Sequence, residues 1–147
     1  MALHAHNAHD HAEQMVLLTQ RLRGLIERET ALFEARTPHE AASFADEKNK
    51  LATTYRLETA RLARDPGLLA DAPATVRRQL REETLLLEGA LRDNKKIAEV
   101  VRKLTEGLVQ AIASEAANTR AKMNGYGANG QVNHDGTAVA ITLNRQI

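Results

Sequence analysis

The chain has 147 residues, room for one domain, with 43% hydrophobic and 27% charged residues. Twenty basic against nineteen acidic side chains leave a net charge of +1 and no basic tract, which argues against a nucleic-acid binder that relies on a strong positive field. With no cysteine there are neither disulfides nor thiolate zinc sites, and with Phe33, Phe44, Tyr55 and Tyr126 as the only aromatics, packing falls to Leu, Ala, Val and Ile, which suits helix-on-helix seams better than a sandwich or an enzyme cleft.

Residues 1–12, MALHAHNAHDHA, are small, polar and histidine-rich, and read as a flexible N-terminal arm without the apolar run of a signal peptide. From Ala12 to about Ala35, Met15, Leu18, Leu22, Leu25 and Leu32 form one stripe, widened by Ile26 and Phe33, and predict a first helix. Thr37-Pro38-His39-Glu40 offers a Thr N-cap, a Pro at the first helical position and a Glu three residues after the cap. A second helix is therefore expected from Pro38 to about Arg64, burying Ala41, Phe44, Leu51, Tyr55 and Leu62. The short connection forces an antiparallel hairpin. Asp65-Pro66-Gly67 stops the second helix, and Leu68 to Pro73 read as a loop.

The run from Ala74 to about Met123 contains no proline, and Val76, Leu80, Leu87, Leu91, Ile97, Val101, Leu104, Leu108 and Ile112 recur along it at helical spacing. Such a helix is on the order of 75 Å long, whereas the second helix covers about 40 Å. Beyond Val101 the long helix is expected to project past the hairpin turn. The projecting face carries Val101, Leu104, Leu108 and Ile112, flanked by Val100 and Val109, and exposed apolar surface of that kind marks a protein interface. Pairing of two copies along the stripe, or cover by the chain's own hairpin, are the alternatives. Asn124 to Gly130 end the helix, and in the tail Val139, Ile141 and Leu143 give a weak alternating pattern, insufficient for a lone strand. The expected organisation is an arm over 1–12, a helical domain over 13–124 and a flexible tail over 125–147.

Several polar residues stand out. His4, His6, His9 and His11 could wrap a metal ion, but a mobile Ala-rich segment supplies neither fixed geometry nor supporting hydrogen bonds, and no metal or other cofactor is assigned. Glu29 and Lys48 fall at or beside the stripes of the first two helices, either paired across the hairpin to fix its register or snorkelled into solvent. Asn94 lies seven residues after Leu87 and seven before Val101, where it either sets alignment or, if the helix drifts, reaches water. Catalysis is not expected. The sequence has no G-x-S-x-G, no phosphate-binding glycine loop and no H-E-x-x-H, and the G-x-G-x-x-G of Gly125, Gly127 and Gly130 follows a helix instead of a strand.

The stretch LTQRLRGLIERETALFEARTPHEAASFADEKNKLATTYRLE, then a loop, then a long helix carrying LLLEGALRDNKKIAEVV and closing near NGYGANG, resembles the FlgN-type flagellar export chaperones over Leu18 to about Gly130. The matching positions are the first stripe with Glu29, the second with Lys48 and Leu51, Asn94 ahead of Ile97, and the Tyr126-Gly127 end. The resemblance implies a cytoplasmic, non-enzymatic protein that binds the C-terminal amphipathic segments of hook-associated junction proteins and delivers them to the flagellar export apparatus. Clients would bind the C-terminal part, which here is Val101, Leu104, Leu108 and Ile112. The expectation is thus an all-α, elongated antiparallel three-helix bundle or coiled coil, with two shorter helices on one long C-terminal helix, serving as a secretion chaperone. A self-associating coiled-coil scaffold without clients is the alternative.

Overall fold

The computed structural model describes residues 3–125. They form three helices, α1 (Ala8–Glu34), α2 (Ala45–Arg64) and α3 (Ala74–Gly125), with 3-10 turns at Pro38–Phe44 and Pro66–Leu69. The protein is all-α, and the described residues contain no strand. By its contacts the chain divides into two units, Met1–Leu104 and Thr105–Ile147, with the boundary inside α3. The alternating patch Val139, Ile141, Leu143 and the Tyr126-Gly127 end lie outside the described residues.

Helix α1 starts at Ala8, four residues earlier than the apolar spacing suggests. The Asn7 side chain accepts the Asp10 amide at 2.9 Å and so satisfies a donor that the first helical turn leaves open. Residues 8–12, expected in a frayed arm, are helical, and Ala12 and His11 are buried. Further upstream, the Leu3 amide donates to Glu58 Oε1 at 2.9 Å. Apolar periodicity could not register this turn because its inward positions are Ala and His.

The α1–α2 connection also differs from expectation. Thr37 makes no side-chain cap. Instead α1 ends with Arg36 in the left-handed region, φ 61°, while the Thr37 amide reaches Leu32 O at 2.9 Å and the Arg36 amide reaches Phe33 O at 3.1 Å. This pair of bonds is the Schellman arrangement usually built on glycine. The segment Pro38–Phe44 then winds as a 3-10 turn before α2 begins. Ala41 and Phe44 pack from it under Leu25, with Leu32, Phe33 and Leu51 around them, and the Arg28 guanidinium covers the Phe44 ring at 4.7 Å.

The pairings give the directions of the helices. Across α1 and α2, Arg21 meets Glu47 and His11 meets Glu58, so the two run antiparallel. Across α1 and α3, Gln20 and Arg23 meet Glu83, and Glu29 and Thr30 meet Asn94, so these two run parallel. Between them Leu22, Ile26 and Leu87 form the central cluster, closed by Leu51 and Tyr55 from α2 and Ala90 from α3.

Leu91 recurs at helical spacing with the apolar residues of α3, yet it is exposed, and Ala90 packs against the core in its place. The inward residues of α3 are Val76, Leu80, Glu83, Leu87, Ala90, Asn94, Ile97 and Val101, all buried or half-buried. Their spacing alternates between four and three, which keeps one seam facing a parallel partner; Leu91, one residue after Ala90, is rotated by about 100° off it. In α2, Leu51, Tyr55 and Leu62 are half-buried, and the most enclosed side chain of that helix is a carboxylate, Glu58.

Candidate partner-binding site

The seam of α3 is interrupted at Asn94 by a polar group that all three helices share. Lys48 Nζ of α2 donates to Glu29 Oε1 of α1, while Asn94 Nδ2 of α3 donates to Glu29 Oε2 at 3.0 Å and to Thr30 Oγ1 at 3.2 Å. The Thr30 hydroxyl in turn donates a hydrogen bond to Ile26 O at 3.0 Å. The structure thus brings together Glu29, Lys48 and Asn94, three of the polar residues singled out in the sequence, and Asn94 faces the core side. Glu29 is buried, and a buried carboxylate is tolerated only when its oxygens are occupied. Among the described residues no enclosed side-chain polar atom lacks a hydrogen-bond partner.

A second buried polar pair was not anticipated. His11 Nε2 lies 3.1 Å from Glu58 Oε2, and both residues are almost fully buried. Burial works against ionisation of Glu58, but the Leu3 amide, the His11 ring and the Arg61 charge outweigh it and hold its carboxyl below the usual range. His11 sits one helical turn before Met15, and Glu58 two turns after Leu51. That spacing is the signal the sequence carries, and the run of neighbouring histidines at 4, 6 and 9 obscures it. His9 instead pairs with Glu13 at 3.1 Å along α1, whereas His4, His6 and His11 line one cavity at the start of that helix.

Past Asn94 the lateral cover of α3 runs out within the first unit. The α1–α3 pairing offset sets the end of α1, Glu34, beside roughly residue 98. Ile97 and Ala98 are half-buried and so is Val101, whereas Leu104 is 65% exposed. In the second unit, every residue over 105–125 is exposed; Leu108 and Ile112 are each 61% exposed and Val109 is 40% exposed. Leu104 continues the alternating spacing of the buried seam from Val101, and Leu108 and Ile112 follow at four-residue steps along the same helix. α3 runs unbroken through Gly89 and Gly107, each of which costs about 1 kcal/mol relative to Ala.

Fold and surface together define an all-α three-helix protein, locked internally by shared polar contacts and carrying large apolar side chains outward on its third helix. Among the described residues no helix is long and apolar enough to cross a membrane. The chain is 40% identical over 148 aligned residues, covering 99% of both sequences, to the flagellar basal-body protein FlbY of Caulobacter vibrioides, and it belongs to the family of that flagellar protein. No established family profile matches the chain. No solved structure matches it either.

Proposed function

We propose that this protein is a flagellar export chaperone of the FlgN type, acting in the cytoplasm and without catalysis. It binds the amphipathic C-terminal segments of hook-associated proteins through Leu104, Leu108 and Ile112, with Val101, half-buried at the end of the inward seam, at their edge, and presents them to the flagellar export apparatus. The observation that carries this reading is the exposure of Leu104, Leu108 and Ile112 on α3 in a chain of a flagellar family. An amphipathic helix laid on such side chains gains about 25 cal/mol per Å² of apolar area buried, before the cost of ordering it. Export requires release, so the fitting affinity is about micromolar, near −8 kcal/mol.

A second reading is favoured by the relative's description as a basal-body protein. In it the same side chains pair copies of the chain into a scaffold that stays with the flagellar base. Two measurements separate these readings. Titration calorimetry with C-terminal segments of hook-associated proteins should give one-to-one binding that Leu104→Glu with Leu108→Glu abolishes while helical content is kept. Light scattering on the pure protein should then show a monomer. A stable dimer or tetramer that this double change dissociates, with no binding of those segments, selects the scaffold.

A further inference from the structure

We propose that the outer groove between α1 and α3 is a docking surface for an amphipathic helix of another protein, one whose apolar seam is flanked by lysine or arginine. The groove lies within the unit Met1–Leu104 and has a volume of about 370 Å³. One wall is the outward face of α1 with Glu27, Ala31 and Glu34, and the other is the outward face of α3 with Leu85, Leu86, Gly89 and Asp93. Leu85 and Leu86 are 61% and 53% exposed although the seam residue beside them, Leu87, is 1% exposed. Two parallel helices with large side chains turned outward form the kind of trough into which a third helix packs.

Charge selects the class of helix. Glu27 is paired with Arg23 at 2.9 Å, and the Arg92 guanidinium reaches over Gly89, but Glu34 and Asp93 make no ion pair among the described residues. Two uncompensated carboxylates at the rim of an apolar trough favour a basic flank and disfavour an acidic one. Gly89 adds an independent reason. A Cβ built there would meet nothing nearer than Arg92 Nη2 at 3.8 Å, so no contact among the described residues requires a glycine in mid-helix. Close approach of a partner's backbone supplies that requirement. Gly24 and Gly107 are more open still, but Gly89 alone of the three stands in this groove, between the exposed leucines and Asp93. This surface is separate from Leu104, Leu108 and Ile112 and does not depend on the function assigned to them.

The test uses the full chain and two synthetic twenty-residue helical peptides with the same leucine seam, one flanked by lysine and the other by glutamate, followed by fluorescence anisotropy. The lysine peptide should bind at least tenfold more tightly at low salt, with the gap shrinking as salt rises. Gly89→Ala should weaken that binding several-fold while raising the melting temperature, so that loss of fold cannot explain the effect. Glu34→Lys with Asp93→Lys should reverse the preference between peptides, and Leu104→Glu with Leu108→Glu should leave it unchanged. Equal binding of both peptides, indifference to Gly89→Ala, or dependence on Leu104 and Leu108 overturns the proposal. So does a concentration-dependent dimer broken by Leu86→Glu, which would make the occupant a second copy of the chain.

Discussion

The Asn94 amide on α3 donates to the Glu29 carboxylate on α1 at 3.0 Å, and the other oxygen of that carboxylate takes the Lys48 ammonium from α2. Sliding any helix by one turn, about 5.4 Å, would strand a buried charge, so the contact sets register more than it adds stability.

Loss of either donor leaves Glu29 half-satisfied. Lys48→Ala should destabilise the protein by about 2 kcal/mol and Asn94→Ala by about 1–2 kcal/mol. The double variant should lose less than the two losses added together, because a carboxylate stripped of both partners protonates or turns to solvent. Urea denaturation of the four proteins in the cycle measures the coupling.

Glu58 makes stability depend on pH in a definite direction. Its carboxyl titrates below the ordinary range in the folded protein, so its contribution is full above the unfolded-state pKa and is lost as pH falls through the folded one. Melting temperature should therefore fall on acidification below about pH 5. Glu58→Gln should be less stable at neutral pH and show a flatter profile in that acid range; an unchanged slope would remove Glu58 from the account.

Arg36 occupies a backbone conformation that glycine adopts without steric cost. Arg36 is exposed and makes no ion pair among the described residues. Arg36→Gly should raise stability by about 1 kcal/mol, visible as a higher melting temperature with unchanged helical content.

Leu87 and Leu91 are one helical turn apart and differ completely in surroundings. Leu87→Ala empties the central cluster beside Leu22 and Ile26 and should cost about 2–5 kcal/mol. Leu91→Ala, at an exposed position, should stay within about 0.5 kcal/mol. Chemical denaturation of both variants checks the rotation of α3 directly.

The helices and most of their limits were legible because the signals are local. Proline at 38 and 66, glycine at 67 and a proline-free run after Pro73 act on the backbone within a few residues, whatever the rest of the chain does. The end of α2 at Arg64 and the start of α3 at Ala74 follow from them. Where a local signal was weak, the boundary moved: the Asn7 cap went unread because no apolar residue marked the turn behind it. At Thr37 two local signals competed, a cap for the next helix and a finish for the last, and the backbone bonds to Leu32 and Phe33 prevailed.

Periodicity along one chain establishes that residues form a helix with an apolar side, and for this protein it establishes the all-α class and the outward leucines of α3 as candidates. It does not establish how far that helix is rotated about its own axis, because Ala90 and Leu91 both lie within the breadth of an apolar stripe. That rotation depends on side chains about sixty residues away, on whether Leu22 and Ile26 enclose Leu87 and whether Glu29 finds Asn94. A separation of 47 residues likewise kept His11 and Glu58 apart until α1 and α2 were folded against each other. Such pairings are settled by the mutual burial of three helices at once, a condition that no window along the chain contains.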